Sequence, residues 1–401
     1  MEPAYHVLWL TENYPPHRGG MAVSCDRIVR TLRAPRLSID VAHCTTRQTE
    51  WRVDTRAHER EITCPVNDDV EHALNRLWTI ISEQAASEPF THVVAFGGLL
   101  PMLGAPVFSA WLGVPLITLI RGNDFDAGIF SLKRGDVLRS ALSASDCVGA
   151  VSRDKVDKIS ALFPGTSVAW TPNGIDLSDW ALHPSDFAPA ADWRRAHVSP
   201  GRQVIGIFGQ LKRKKGGAFF LEALLASGLA ACFHVLLVGE IEPELSGWLE
   251  QHRDEVAFTL LPFLDRYELL PHYAACDWVA IPSFYDGMPN VLLESAALGV
   301  PALAARTGGM RDLLVDDEHA VLFAPGDAPD CARAIERAAH LDEAGRHRLG
   351  RNSRTLVTDG YDHRLEAQHY REIFARTARR APATPSCTPP SVTFSASPSS
   401  S

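Results

Sequence analysis

Short apolar runs alternate with helix-length amphipathic segments along nearly the whole chain, and they do so in two successive series. The first series places strands at 6–11, 39–43, 92–96, 116–120, 147–150 and 168–170, with helices at 22–33, 69–86, 99–112, 132–143 and 153–162 between them. The second places strands at 204–208, 233–238, 257–261, 278–281, 302–305 and 321–323, with helices at 218–226, 243–252, 266–275, 290–298, 329–341 and 343–358. Strands that are apolar throughout, joined by crossover helices, build parallel sheets covered on both faces. The expected fold class is therefore α/β: two Rossmann-like, doubly wound parallel-sheet domains whose ligand-binding edges face each other across a cleft. Residues 1–180 form the first domain and 203–363 the second. The stretch 181–202, rich in Pro, Ala, Asp and Ser, reads as a linker. A last helix at 364–379 is expected to pack back on the first domain. The tail 381–401 is almost entirely Pro, Ser, Thr and Ala; it cannot bury enough apolar surface to fold and is predicted to be disordered.

The bulk properties narrow the function. A chain of 401 residues exceeds one comfortable core and suits two domains. A formal net charge of −9 argues against a general nucleic-acid binder. The eight cysteines form no CxxC pair, so a zinc site is not expected. No apolar run reaches transmembrane length, and the first residues read as a strand rather than a signal peptide. The chain thus reads as cytoplasmic, with peripheral contact at the inner face of a membrane left open.

Four segments carry candidate chemistry. PPHRGGM at 15–21 follows the first strand and opens a helix. Gly19 and Gly20 allow a tight turn whose amides can approach an anion. LIRGNDFD at 119–126 lies at a strand end, where Arg121, Asn123 and Asp124 could meet sugar hydroxyls. Asp124 and Asp126 could hold a divalent cation, but acidic pairs are more often solvated surface groups; no metal is expected, and Asp126 reads as structural. FGQLKRKKGG at 208–217 follows the first strand of the second series, and its run Lys212–Lys215 offers the positive charge that a diphosphate requires. IPSFYDGMPNVLLESAALGVP at 281–301 is the most specific. Asp286 lies on a loop and Glu294 within the following helix, so both can line one elongated ligand. The turn Gly287-Met288-Pro289-Asn290 brings amides that can reach phosphate. Glu294 is set among apolar neighbours, where an unpaired carboxylate is costly unless it has a purpose.

The carboxylate–x7–carboxylate pair resembles the signature of family 4 glycosyltransferases, which have the two-domain GT-B fold. The segments GG at 19–20, PNGID at 172–176, G-x-L-x3-K-G at 209–216 and TGGMRDLL at 307–314 fall in the family's order. The resemblance runs over about residues 5–375. It implies a retaining transfer of a hexose-type sugar from a nucleotide-diphosphate donor to an acceptor hydroxyl, with the nucleotide-sugar as co-substrate and no cofactor or metal. It implies that Glu294 binds the ribose, Asp286 the donor sugar and Lys215 the diphosphate. Gly209, Gln210, Arg213, Gly287, Met288, Pro289 and Asn290 complete the donor site. Gly19, Gly20, Arg121 and Asn123 lie beside the acceptor, and Asp124 joins Asp286 and Lys215 at the reacting centre. Three positions depart from the family's pattern. Asp286 is shorter than the usual Glu by about one methylene, roughly 1.5 Å. Gln210 stands where a phosphate-binding Arg is usual, with Arg213 or Lys212 expected to replace its charge. No His occurs in the RGND segment. A nucleotide-sugar epimerase of the same fold, or a non-catalytic nucleotide-sugar-binding protein, is the alternative reading.

Overall fold

The computed structural model describes residues 4–56, 59–67 and 69–378; the tail 381–401 and the end of the last expected helix lie outside them. Among the described residues, fourteen strands form two sheets. The first contains β1 (Tyr5–Thr11), β2 (Leu37–Thr45), β3 (Arg52–Arg56), β4 (Glu59–Pro65), β5 (His92–Phe96), β6 (Leu116–Ile120), β7 (Cys147–Ala150) and β8 (Val168–Trp170), in the order β3-β4-β2-β1-β5-β6-β7-β8. The second contains β9 (Gln203–Phe208), β10 (Phe233–Val238), β11 (Phe258–Leu261), β12 (Trp278–Ile281), β13 (Ala302–Ala305) and β14 (Ala320–Phe323), in the order β11-β10-β9-β12-β13-β14. Every pairing is parallel except β3 with β4. The fold class read from the alternation therefore holds.

Each sheet reverses its winding once. β1 lies between β2 and β5, and β9 lies between β10 and β12. At such a switch point the loops leaving the two neighbouring strands diverge and open a crevice at their carboxyl ends. In the first sheet these loops begin at residues 12 and 97; in the second they begin at 209 and 282. Both glycine loops singled out in the sequence follow a switch-point strand.

Beyond the short helices Asn123–Asp126 and Gly308–Leu313, which the sequence reading lacks, the pattern of elements departs from it in two longer stretches. Residues 52–56 and 59–65 pair antiparallel as β3 and β4 at the sheet edge; the outer strand alternates Arg, Val, Asp, Thr and Arg, without the apolar run that marks a buried strand. The stretch 181–202, read as a linker, is largely a helix, Pro184–His197. That helix belongs to the second domain: Trp193 packs against its core, and Arg194 donates to Asp277 Oδ2 and the Ala275 carbonyl, both at 2.9 Å. Pro at its first position and a His183–Asp186 capping box start it. Its apolar residues are too few and too scattered to reveal it by periodicity.

The last helix, His363–Ala378, packs on the first domain. Ala367, Tyr370, Ile373 and Phe374 are buried among residues of β1, β2, β5 and β6 and of the helix Gly20–Leu32. The chain crosses between domains twice, and the crossings pair: Ile175 N donates to the Tyr361 carbonyl at 2.8 Å, and His363 N donates to the Ile175 carbonyl at 2.9 Å. A buried charge network locks this region. Glu366 Oε2 accepts from Arg27 Nε and Nη2 at 3.2 and 3.0 Å, and Oε1 accepts from Arg121 Nη2 at 3.2 Å. Arg121 also donates to Asn173 Oδ1, to the Thr171 carbonyl at 3.1 Å and to the Tyr370 hydroxyl at 2.7 Å. Removing one member of a buried ion pair leaves an uncompensated charge. Glu366→Ala strands two guanidinium groups and is expected to destabilise the protein by about 3–5 kcal/mol, read as a lowered urea midpoint.

Candidate functional site

The loop after β9 splits its four cations among different tasks. Gly216, at φ 70°, turns the chain back so tightly that a Cβ there would lie 2.1 Å from the Pro282 carbonyl oxygen. This closure folds Arg213–Lys215 into a single 3-10 turn and brings it against the loop that follows β12. Lys215 Nζ donates to Asp286 Oδ2, and the Gly287 amide donates to Asp286 Oδ1 at 2.9 Å. Burial raises the cost of ionising Asp286, but the Lys215 ammonium outweighs it and holds the carboxyl below its ordinary range. Lys214 is partly buried, which lowers its pKa, while the Asp286 and Asp124 charges oppose that shift. Arg213 turns the other way. It is exposed; its guanidinium lies 3.9 Å from Glu244, and its backbone amide donates to Glu242 Oε2 at 2.7 Å. Of the two cations expected to replace the missing phosphate-site Arg, Arg213 and Lys212, both are exposed, and the Arg213 guanidinium lies beside Glu244 while Lys215 engages Asp286.

Glu294 is the fifth residue of the helix Asn290–Ala297. It accepts a 2.7 Å hydrogen bond from the Tyr273 hydroxyl, and the Tyr273 ring stacks on Phe208 with centroids 4.0 Å apart. Burial pushes the Glu294 carboxyl up to about 7, against the opposing hydrogen bond from Tyr273 and the charges of Arg27 and Lys215. Lys215 thus acts on both carboxylates of the motif. Tyr273, which fixes the Glu294 carboxylate, was not singled out in the sequence; it sits in an ordinary helix, Arg266–Ala274, with no motif around it.

The first domain closes over this crevice. Gly287 meets it so closely that a Cβ would lie 2.5 Å from the Arg121 carbonyl oxygen and 3.0 Å from Gly122 Cα. Asn290 spans the gap with both ends of its side chain: Nδ2 donates to the Gly20 carbonyl at 3.1 Å, and Oδ1 accepts from Ser24 Oγ at 3.2 Å. Asn173 Nδ2 donates to the Met288 carbonyl at 2.6 Å. Gly19, at φ 113°, faces the Gln210 side chain, which lies 3.5 Å from where a Cβ would be. Arg18 reaches across to the Phe263 ring at 4.7 Å. Gly209 lies beside Val291, and Pro289 occupies the N-cap position before Asn290.

The strand-end segment 121–126 behaves differently from its sequence reading. Arg121 is buried in the network around Glu366 and does not offer its guanidinium to a ligand. Asp124 accepts from the amides of Arg121, Gly122 and Phe125 at 2.9, 2.8 and 3.1 Å, so its partly buried carboxylate shapes the turn that Gly287 packs against. Burial raises its pKa against those hydrogen bonds. Asp126 pairs with the buried Lys155 at 2.8 Å. Asp124 and Asp126 thus do not present two free carboxylates, and the placing of Arg121 and Asp124 among ligand-contacting groups is corrected. Asn123 opens the short helix Asn123–Asp126; its side chain lies outside the described structure. A strand-end Arg reads the same in sequence whether it faces a ligand or a carboxylate 245 residues away.

Two parallel-sheet domains meeting at their switch points, with glycine loops on both sides, define the GT-B architecture. The comparisons agree. Residues 202–340 match the family described as glycosyl transferases group 1. The chain is 26% identical over 277 residues to glycogen synthase of Mycobacterium tuberculosis, covering 66% of this chain and 64% of that one. It is 27% identical over 251 residues to a D-inositol 3-phosphate glycosyltransferase of Xylanimonas cellulosilytica, covering 60% of each. The matched region thus spans less than two thirds of either curated relative. Among solved structures, sucrose-phosphate synthase of Thermosynechococcus elongatus superposes with a TM-score of 0.77 at 20% identity, over 93% of this chain and 100% of that one. The Anabaena protein Alr3699/HepE in complex with UDP-glucose superposes with a TM-score of 0.71 at 18% identity, over 92% and 99%. The chain is thus similar to the group 1 glycosyl transferases over residues 202–340 and shares the two-domain fold of these solved structures.

The opposite environments of Asp286 and Glu294 give a stability signature. A carboxyl raised in the folded state holds a proton that the unfolded chain has released, so its contribution favours folding at low pH and is lost as pH rises from about 4.5 through about 7. Glu294→Gln keeps the acceptor for Tyr273 and removes this penalty. The variant is expected to be more stable than the native protein at pH 8, by up to about 3 kcal/mol, and no more stable at pH 4. Denaturant melts across that range check it.

Proposed function

We propose that the chain is a retaining glycosyltransferase that moves a hexose-type sugar from a nucleotide-diphosphate donor to an acceptor hydroxyl. The observation that carries this reading is one ammonium, Lys215, acting on two partly buried carboxylates, Asp286 and Glu294, at the switch point of the second sheet. A diphosphate brings negative charge into a crevice that already holds Lys215 and the partly buried Lys214. The amides of the 287–290 turn and of Gly209 add neutral donors, and Gln210 supplies a side-chain amide beside Gly19. Glu294, oriented by Tyr273, accepts from the vicinal hydroxyls of ribose. Asp286, short and held by Lys215 and its neighbouring amide, accepts from the sugar.

The acceptor enters from the first domain, over Gly19, Gly20 and Asn123. Its oxygen attacks the anomeric carbon on the face from which the phosphate departs. The bond from that carbon to the diphosphate oxygen breaks, the bond to the acceptor oxygen forms, and the leaving phosphate takes the acceptor's proton. Lys215 and Lys214 stabilise the charge that develops on the diphosphate, so this reading routes no step through a metal or other cofactor. The contacts of Asn290 and Asn173 across the gap favour a closed crevice in which water is excluded. UDP-glucose in the Anabaena structure supports the donor class. The relatives' names, glycogen synthase and D-inositol 3-phosphate glycosyltransferase, point to different acceptors, so the acceptor is proposed only as a hydroxyl.

Incubation with UDP-, GDP- and ADP-hexoses and a panel of hydroxyl acceptors tests the proposal, with NMR of the product reporting its anomeric configuration. Retained configuration is expected. Conversion of the donor to an isomer without acceptor would make the protein an epimerase, and binding without turnover would make it a binding protein. Glu294→Ala is expected to weaken nucleotide-diphosphate binding by about 1.5–3 kcal/mol, measured by calorimetry. Lys215→Ala is expected to slow transfer about 10²-fold or more; an unchanged rate would assign the diphosphate to another cation.

A further inference from the structure

Solvent-facing helix surfaces are ordinarily polar, yet the helix Leu99–Leu112 contains no charged residue at all. Its inner residues Met102, Ala105 and Phe108 are buried in the first domain. Leu99, Leu103, Val107 and Trp111 recur every fourth residue and form one stripe along the outer face, with exposures from 37% to 47%. The segment 127–134 lies alongside. Ile129 packs into the same cluster as Met102, Phe125 and Leu138, and the helix Gly135–Ala144 rests against Leu99–Leu112. From this anchored position Phe130 and Leu132 project into solvent, 89% and 99% exposed. Contiguous exposed apolar surface of this kind marks an interaction face.

The charge around the face identifies the occupant. Lys133 and Arg134 follow directly, and Arg139 lies on the next helix, 3.8 Å from Asp136, the only acid in residues 127–139. This local excess of cations stands against a chain that carries −9 overall. A second copy of the chain meeting the face through a two-fold axis would set these cations against their own counterparts. A surface of anionic headgroups over an apolar interior answers both the cations and the aromatic and aliphatic side chains. The face also begins at the crevice. The Leu100 amide, at the start of the helix, donates to Glu12 at 2.6 Å, just beyond β1, and the charge of Arg134 acts on that same carboxylate.

We propose that this face seats the first domain on an anionic lipid bilayer, with Phe130 and Leu132 entering the acyl boundary, the stripe from Leu99 to Trp111 lying along it, and Lys133, Arg134 and Arg139 meeting the headgroup phosphates. On the transferase reading given above, the acceptor side of the crevice then opens at the headgroup layer, which suits an acceptor hydroxyl carried by a lipid.

Co-sedimentation of the full chain with vesicles tests the surface without any nucleotide-sugar, so its failure and that of the transferase reading are distinguishable. The chain is expected to pellet with phosphatidylcholine vesicles containing phosphatidylglycerol, to bind pure phosphatidylcholine at least about tenfold more weakly, and to be released by salt. The double variant Phe130→Ser/Leu132→Ser alters only exposed side chains and is expected to keep the native circular dichroism while losing about tenfold in vesicle binding. Lys133→Glu/Arg134→Glu is expected to abolish the preference for phosphatidylglycerol. Three results would overturn the proposal: no pelleting with any phosphatidylglycerol content, equal pelleting of the Phe130→Ser/Leu132→Ser variant, or a native dimer that this variant converts to a monomer.

Discussion

Two partly buried carboxylates share one crevice, and the charge of a single ammonium acts on both. Direct contact with Lys215 keeps Asp286 ionised although it is partly buried. Glu294 lacks such a contact, bonds instead to a neutral hydroxyl, and is pushed up to about 7. The same two residue types, eight positions apart, therefore stand in different protonation regimes because one has a cation and the other a phenol. This contrast depends on the backbone: the reversal at Gly216 turns Lys215 towards the second sheet's switch point while Arg213 turns outward. Without that reversal the four cations of the run would be equivalent surface charges.

The same geometry accounts for how the domains meet. Gly287 admits the Arg121–Gly122 backbone because it has no side chain, and the turn it admits is held rigid by Asp124. Asn290 and Asn173 then join the 288–290 turn to the first domain and to the crossover strand. The turn that contacts the crevice is thus also the turn that the opposing domain grips. An occupant of the crevice and the approach of the domains act on one short stretch of backbone.

Much of this was legible in the sequence, for reasons that are local. Apolar strand runs, helical periodicity and glycine at strand ends report short-range constraints, and the motif spacing at 286–294 encodes a loop followed by a helix. What escaped reading depends on distant partners. Arg121 and Asp124 occupy strand-end positions that usually face ligand, but Glu366 and three local amides engage them instead. Tyr273 belongs to a helix that gives no hint of Glu294. The helix Pro184–His197 is specified by its caps and by Trp193 and Arg194 rather than by an amphipathic stripe, so composition alone suggested a linker. Arg213 and Lys215 differ by two positions in sequence, and only the 3-10 turn separates their directions.

The position of the last helix has a consequence for the order in which the molecule can be assembled. The first domain buries Arg27 and Arg121, but their shared counter-charge is Glu366, and part of its apolar core is Tyr370, Ile373 and Phe374. During synthesis the amino-terminal half emerges with its sheet strands but without this closing element. It must wait, with unneutralised guanidinium groups and an uncovered apolar surface, while the whole of the second domain is made. The second domain, whose strands and helices lie contiguously between the two crossings, can complete itself first, so of the two domains the one translated earlier is closed only by a segment made after the other.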